Sequence, residues 1–275
     1  MMRYLLIPAV ALGAAGACIN SLFGIRRIPS GQKLYREKKE ILRIPYRGKE
    51  IYGELLSPET GKPKALIIAC HGFDGSLLYF KNALGYKLAQ EGYALYAFDF
   101  INGSRHSKSG GSIRDMSAVD EKDQLLAVYD YFKERYENII LAGESQGGLI
   151  ATLANAELQD IRALILYYPA YCAIPDARKR LAAGETKHFG IDFRSDYTEE
   201  LAGIDLSGCI RGISVPAILI HGDSDKAVDV SYAYKAKELC PQIELHILPG
   251  KDHGLDHAGR TEAAEYVGYF LKNIV

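Results

Sequence analysis

A serine at the centre of Gly143-Glu144-Ser145-Gln146-Gly147-Gly148 sits between the apolar run Asn138-Ile139-Ile140-Leu141-Ala142 and an apolar helical pattern from Leu149 to Leu158. A chain that passes from buried strand to helix in so few residues must turn sharply. The residue at the apex is then driven into a strained backbone conformation, and its neighbours must be small, a demand that Gly143 and Gly147 meet. The following helix aims its first N–H groups back at the serine, which favours negative charge there. The spacing is G-x-S-x-G. Alone it is a weak signal, because a plain polar turn between strand and helix has the same composition.

The signal gains meaning from the residues further along the chain. A serine nucleophile needs a base to take its proton and an acid to orient that base, in chain order Ser, Asp, His. The run Pro216-Ala217-Ile218-Leu219-Ile220-His221-Gly222-Asp223-Ser224-Asp225 reads as a buried strand ending in a turn with acids. The run from Ile243 to Leu248 reads as a further strand, ending in Pro249-Gly250-Lys251-Asp252-His253-Gly254. Ser145 is thus read as nucleophile, His253 as base and Asp225 as the acid that orients it. Asp223 competes with Asp225, but lies one residue past Gly222, where a carboxylate shapes a turn. Asp229 suits the start of a helix near Val230. His246 falls inside a strand and His257 near the start of the last helix. His71 and His221 each precede a glycine at a strand end and are read as braces for those loops.

Ala65-Leu66-Ile67-Ile68-Ala69-Cys70 is an earlier buried-strand pattern, leading into His71-Gly72-Phe73-Asp74-Gly75-Ser76. The expected donors to a developing oxyanion are the backbone N–H groups of Phe73 and Gln146. Ile41–Tyr46 and Glu50–Leu56 form a hairpin pattern around Arg47-Gly48-Lys49. Helical patterns over Leu77–Glu91 and Ser117–Glu134 alternate with strand patterns over Tyr93–Phe100 and Ile161–Pro169, and a last helix is expected over Arg260–Asn273. Such alternation predicts an α/β fold with a mostly parallel central sheet and helices on both faces.

Taken together these segments resemble the α/β-hydrolase superfamily from about Ile41 to Val275. Within it the chain resembles serine esterases grouped with feruloyl (cinnamoyl) esterases and monoacylglycerol lipases, among the serine aminopeptidase S33-like hydrolases. The resemblance rests on His71-Gly72-Phe73, the elbow with Ser145-Gln146-Gly147-Gly148, His221-Gly222 with Asp225, Pro249-Gly250 with His253, Phe98-Asp99-Phe100, and Tyr168-Pro169-Ala170 leading into Ile174-Pro175-Asp176-Ala177-Arg178. One departure stands before the nucleophile, where such esterases commonly carry histidine and this chain has Glu144. Its carboxylate would raise the pKa of a nearby histidine.

Between Tyr171 and Ile213 the strand–helix rhythm stops, and polar residues mix with Phe189, Ile191, Phe193, Tyr197 and Leu201. A long connection of this kind is expected to form a small cap over the active site (residues 171–213), where the superfamily inserts such caps. Surface helices are the plainer alternative. Tyr171, His188, Phe189 and Tyr197 are the candidate substrate-binding residues, suited to a ring with a polar substituent. The expected activity is hydrolysis of short acyl or hydroxycinnamoyl esters through an acyl-enzyme, with no metal and no cofactor. A monoacylglycerol lipase, thioesterase, serine peptidase or non-catalytic binding protein of the same fold are the alternatives.

A net charge of −1 over 275 residues gives no bulk electrostatic case for nucleic acid, and a small-molecule ester is the expected partner. Five cysteines, at 18, 70, 172, 209 and 240, lack metal-ligand spacing. Cys172 and Cys209 bracket the insertion and are a candidate disulfide. Residues 1–27 are expected to be a separate hydrophobic segment and 28–275 the catalytic domain. The apolar run within residues 4–23 suits a signal peptide, a lipoprotein site at Cys18 or an uncleaved anchor, hence a membrane-associated or exported protein. A helix packed on a cytoplasmic domain is the alternative.

Overall fold

The computed structural model describes residues 25–26 and 35–275, apart from 159, 186 and 195. A nine-stranded sheet runs through it, built of β1 (Ile25–Arg26), β2 (Tyr35–Tyr46), β3 (Lys49–Pro58), β4 (Leu66–Cys70), β5 (Ala94–Phe98), β6 (Ile139–Glu144), β7 (Ala163–Tyr167), β10 (Ala217–Gly222) and β11 (Glu244–Leu248). Across the sheet they lie in the order β1-β2-β3-β5-β4-β6-β7-β10-β11. From β5 to β11 every neighbouring pair is parallel. β3 joins β5 antiparallel and continues the sheet into the β2–β3 hairpin. That hairpin turns through Arg47 and Gly48, both with positive φ (45° and 75°), as a two-residue turn matched to strand twist requires.

The central strands are buried on both faces, which is why they read as unbroken apolar runs rather than alternating ones. Two core layers flank the sheet. One holds Phe98, Phe132, Leu149 and Leu166, and the other Phe80, Leu95, Tyr167 and Val267. The covering helices are α1 (Leu78–Phe80), which continues through a π-helical stretch, Lys81–Gly85, into α2 (Tyr86–Gln90); α3 (Ala118–Phe132); α4 (Gln146–Asn155); α8 (Ser231–Leu239); and α9 (His257–Lys272). Ser117 caps α3, its Oγ accepting from Asp120 N at 3.0 Å.

The segment between β7 and β10 forms the small cap. It contains α5 (Ala173–Ala183), a two-stranded hairpin of β8 (Lys187–His188) and β9 (Ile191–Asp192), α6 (Tyr197–Gly203) and α7 (Leu206–Arg211). Its hairpin turns on Phe189 and Gly190, again both at positive φ.

One open candidate is decided and one expectation is corrected. Cys172 and Cys209 are both free thiols, so no disulfide closes the insertion. Among the described residues, no helix is long and apolar enough to cross a membrane. That finding overturns the expected membrane-associated or exported localisation, and the apolar run 4–23 that carried it lies outside the described residues.

Candidate active site

Ser145 follows β6 directly, at φ 52° and ψ −121°. This is the left-handed half of backbone space, unfavourable for a side chain with a Cβ. The surroundings hold it there by hydrogen bonds. Ser145 N donates to Tyr167 O at 3.0 Å, and Ser145 O accepts from Gly148 N, Leu149 N and Ala170 N. Close packing demands the flanking glycines. A Cβ on Gly143 would lie 2.2 Å from Gly147 O, and one on Gly147 would lie 2.3 Å from Cys70 O.

β10 and β11 deliver the other two residues to the same end of the sheet. His253 Nε2 is 3.1 Å from Ser145 Oγ, and His253 Nδ1 is 2.8 Å from Asp225 Oδ2. The Tyr168 ring packs edge-on against the His253 ring at 4.7 Å and limits its rotation. Asp225 Oδ1 accepts from Ala227 N at 2.9 Å and Val228 N at 2.8 Å. Burial alone would raise its pKa. Hydrogen bonds from His221, His253 and Val228 N–H outweigh that and hold the carboxyl well below the usual range. His221 donates from Nε2 to Val228 O at 2.9 Å and so braces the acid loop.

Asp223 and Asp229 are engaged elsewhere. Asp223 Oδ1 accepts from Gly250 N at 2.6 Å, and Asp229 Oδ1 accepts from Ser231 N at the start of α8. His246 stacks on Tyr266 and bonds to Glu244.

The loop after β4 lies against the serine, since a Cβ on Gly72 would be 2.9 Å from Ser145 Cβ. His71 accepts from Phe100 N at Nε2, 3.1 Å, which assigns its proton to Nδ1 and the 2.7 Å bond to Gly72 O. Asp74 and Arg105 form a side-chain ion pair that ties this loop to the one after β5. Glu144 is hydrogen-bonded to backbone, Oε1 accepting from Gly72 N at 2.7 Å. It clamps β6 to the loop that carries Phe73. Among the described residues, neither Phe73 N–H nor Gln146 N–H donates to a backbone carbonyl.

Gln146 does more than its sequence position suggests. Its side chain accepts from Tyr197 OH at 2.7 Å and donates to Glu121 Oε2 at 2.6 Å. The cap is thereby tied to the residue after the serine. Glu121 is buried, and burial, reinforced by the Asp120 and Glu200 carboxylates, raises its pKa to about 8 against the opposing Gln146 hydrogen bond. A sequence signal for Glu121 exists: with Gln124, Leu125 and Val128 it keeps the helical spacing of the buried face of α3, so an acid occupies a core position.

The four candidate pocket residues divide. Tyr171 is 1% exposed and its hydroxyl pairs with Thr152 at 2.8 Å, which fastens the cap to α4. It also lines a cavity of about 230 Å³ with Ile174, Ile210 and Tyr232, apart from Ser145. Tyr197 is equally buried. His188 and Phe189 come down on Phe73, with ring centroids 5.7 and 5.3 Å away. Phe193, not singled out in the sequence as a pocket residue, joins them by stacking on Tyr197 at 4.6 Å. Burial and the nearby Arg180 charge push the His188 pKa down to about 4, against the opposing pull of Asp176.

A mostly parallel sheet with an elbow serine, an acid loop and a histidine loop at one end defines the α/β-hydrolase class. Residues 61–194 match the family model described as serine aminopeptidase, S33, and the chain has the α/β-hydrolase fold. Among solved structures it is similar to Est1E from Butyrivibrio proteoclasticus with bound ferulic acid, at 25% identity, covering 84% of this chain and 99% of that one, TM-score 0.73. It also shares its fold with the Pyrococcus furiosus esterase Pf2001, at 23% identity, covering 86% and 93%, TM-score 0.66. No curated protein matches it in sequence.

Proposed function

We propose that residues 28–275 form a serine carboxylic-ester hydrolase. The observation that supports this best is the line of contacts from Ser145 Oγ through His253 Nε2 and Nδ1 to Asp225 Oδ2, at 3.1 and 2.8 Å. In this reading Ser145 attacks the ester carbonyl as His253 takes its proton. Phe73 and Gln146 N–H stabilise the oxyanion, each worth about 2.7–4 kcal/mol in the transition state. His253 then protonates the leaving alcohol. In the second half it activates water, which releases the acid and regenerates Ser145. Asp225, held ionised, stabilises the imidazolium that forms in each half. The residues named need neither metal nor cofactor for these steps.

The favoured substrates are short acyl or hydroxycinnamoyl esters. Support comes from the aromatic walls of His188, Phe189 and Phe193 beside Phe73, and from the ferulic acid held by the similar Est1E. The family description favours peptidase chemistry as the second reading. Ester turnover by Ser145→Ala at the wild-type rate would overturn the mechanism. Faster turnover of aminoacyl 4-nitroanilides than of 4-nitrophenyl esters would favour the peptidase.

A further inference from the structure

Arg180 has no part in the chemistry above. Its Nε and Nη2 are buried and have no acceptor among the described residues. A guanidinium cannot shed its proton, and a buried donor left unpaired is destabilising. Two residues earlier, Arg178 shows the ordinary solution, with Nε and Nη2 each 2.9 Å from the carbonyls of Ala202 and Ile204.

Cys172, Asp176 and Arg180 are four residues apart along the start and length of α5, so they share one face. At one end of that face Cys172 Sγ lies 3.9 Å from Ala227 O, beside Asp225. At the other, the Arg180 charge acts on His188, Tyr197 and Cys172. All three are fixed around Ser145: Tyr197 on Gln146, His188 on Phe73, and Cys172 by the Asp225 loop. The cation thus belongs to the face of α5 whose other end, at Cys172, adjoins the Asp225 loop, and its charge is felt at His188 and Tyr197.

Among the described residues, no carboxylate pairs with it. Asp176 pairs with Lys179 at 3.6 Å, and Glu200 accepts from Ser117 Oγ at 2.7 Å. Glu121, raised to about 8, and His188, lowered to about 4, are both mainly uncharged at neutral pH.

We propose that Arg180 is a carboxylate-recognition site in the cap, and that the preferred substrates are esters bearing a second, free carboxylate. This rests on the ester-hydrolase reading and narrows its substrate class. A planar guanidinium fork matches a carboxylate in two parallel hydrogen bonds. His188 and Tyr197 supply the apolar sides.

The test compares mono-4-nitrophenyl glutarate with 4-nitrophenyl valerate, which differ in the distal carboxylate of the acyl half. A second pair, 4-acetoxybenzoate and 4-acetoxytoluene, places the carboxylate on the alcohol half, with rates normalised to alkaline hydrolysis. The full-length wild type is expected to favour the anionic member of one pair by at least about tenfold in kcat/KM, the range of a charge-assisted hydrogen bond. Arg180→Gln should bring that ratio to about one. Arg180→Lys should keep part of it, because the charge stays while the fork is lost. A wild-type ratio near one for both pairs, or the same ratio in Arg180→Gln, overturns the proposal. Calorimetric titration of glutarate into wild type and Arg180→Gln reads the site without turnover. Equal affinity counts against the site. Binding that depends on Arg180, with no ester turned over, would leave the site standing and remove the hydrolase reading.

Discussion

Asp225 and Asp223 stand two residues apart after the same strand, yet only one reaches the imidazole. Asp225 is buried with both oxygens engaged, one of them by His253, whereas Asp223 braces Gly250 N at the surface. Asp225→Asn should therefore lower kcat by about 10⁴-fold, the scale on which loss of an orienting carboxylate acts. Asp223→Asn should change it by less than about tenfold, since it alters only a turn. Steady-state rates on one nitrophenyl ester compare the two. Glu121 carries a different consequence. Its folded pKa is raised from 4.5 to about 8, so the folded protein holds a proton that the unfolded chain releases. The resulting loss of stability is absent below the unfolded pKa, grows as pH rises through the interval, and levels off above about 8. Urea unfolding at pH 5 and pH 9 should show a larger drop for wild type than for Glu121→Gln, whose amide oxygen still accepts from Gln146. Equal drops would mean that Glu121 titrates normally.

Helix α4 meets strand β6 and the end of β4 with almost no room between them. Both Cys70 O and His71 O lie within 2.5 Å of where a Cβ on Gly147 would sit. These are backbone atoms, which cannot swing aside as a flexible side chain can. Gly147→Ala should therefore destabilise the fold by about 1–3 kcal/mol, as overpacking does, and lower activity by displacing the β4 loop that carries Phe73. Chemical denaturation with a parallel rate measurement checks it. Unchanged stability would mean that the elbow is looser than its packing implies. The cap works at the same scale. Its hairpin sets His188 and Phe189 on Phe73, while Tyr197 anchors α6 to Gln146. Its aromatics thus divide between fastening and lining, a division that depends on which hydroxyls find partners beneath the cap.

Across the molecule, the sheet order brings the carboxyl ends of β4, β6, β7, β10 and β11 side by side, where ligands bind in open parallel sheets. Phe73, Ser145, Asp225 and His253 each follow one of those ends. The sequence determined this much by itself, because strands buried on both faces are written as apolar runs, and an elbow writes its sterics as glycines. The hairpin about Arg47-Gly48 and the limits of α3 were legible for similar local reasons. Chain spacing alone could not decide the rest. A disulfide between Cys172 and Cys209 depended on distances across the cap. The partner of Glu144 lies 72 residues away at Gly72, and the Glu121–Gln146–Tyr197 network joins three separate helices. Such contacts follow from which groups burial leaves in need of a partner. Only the tertiary structure decides that, because burial is a property of the packed chain and not of any one segment.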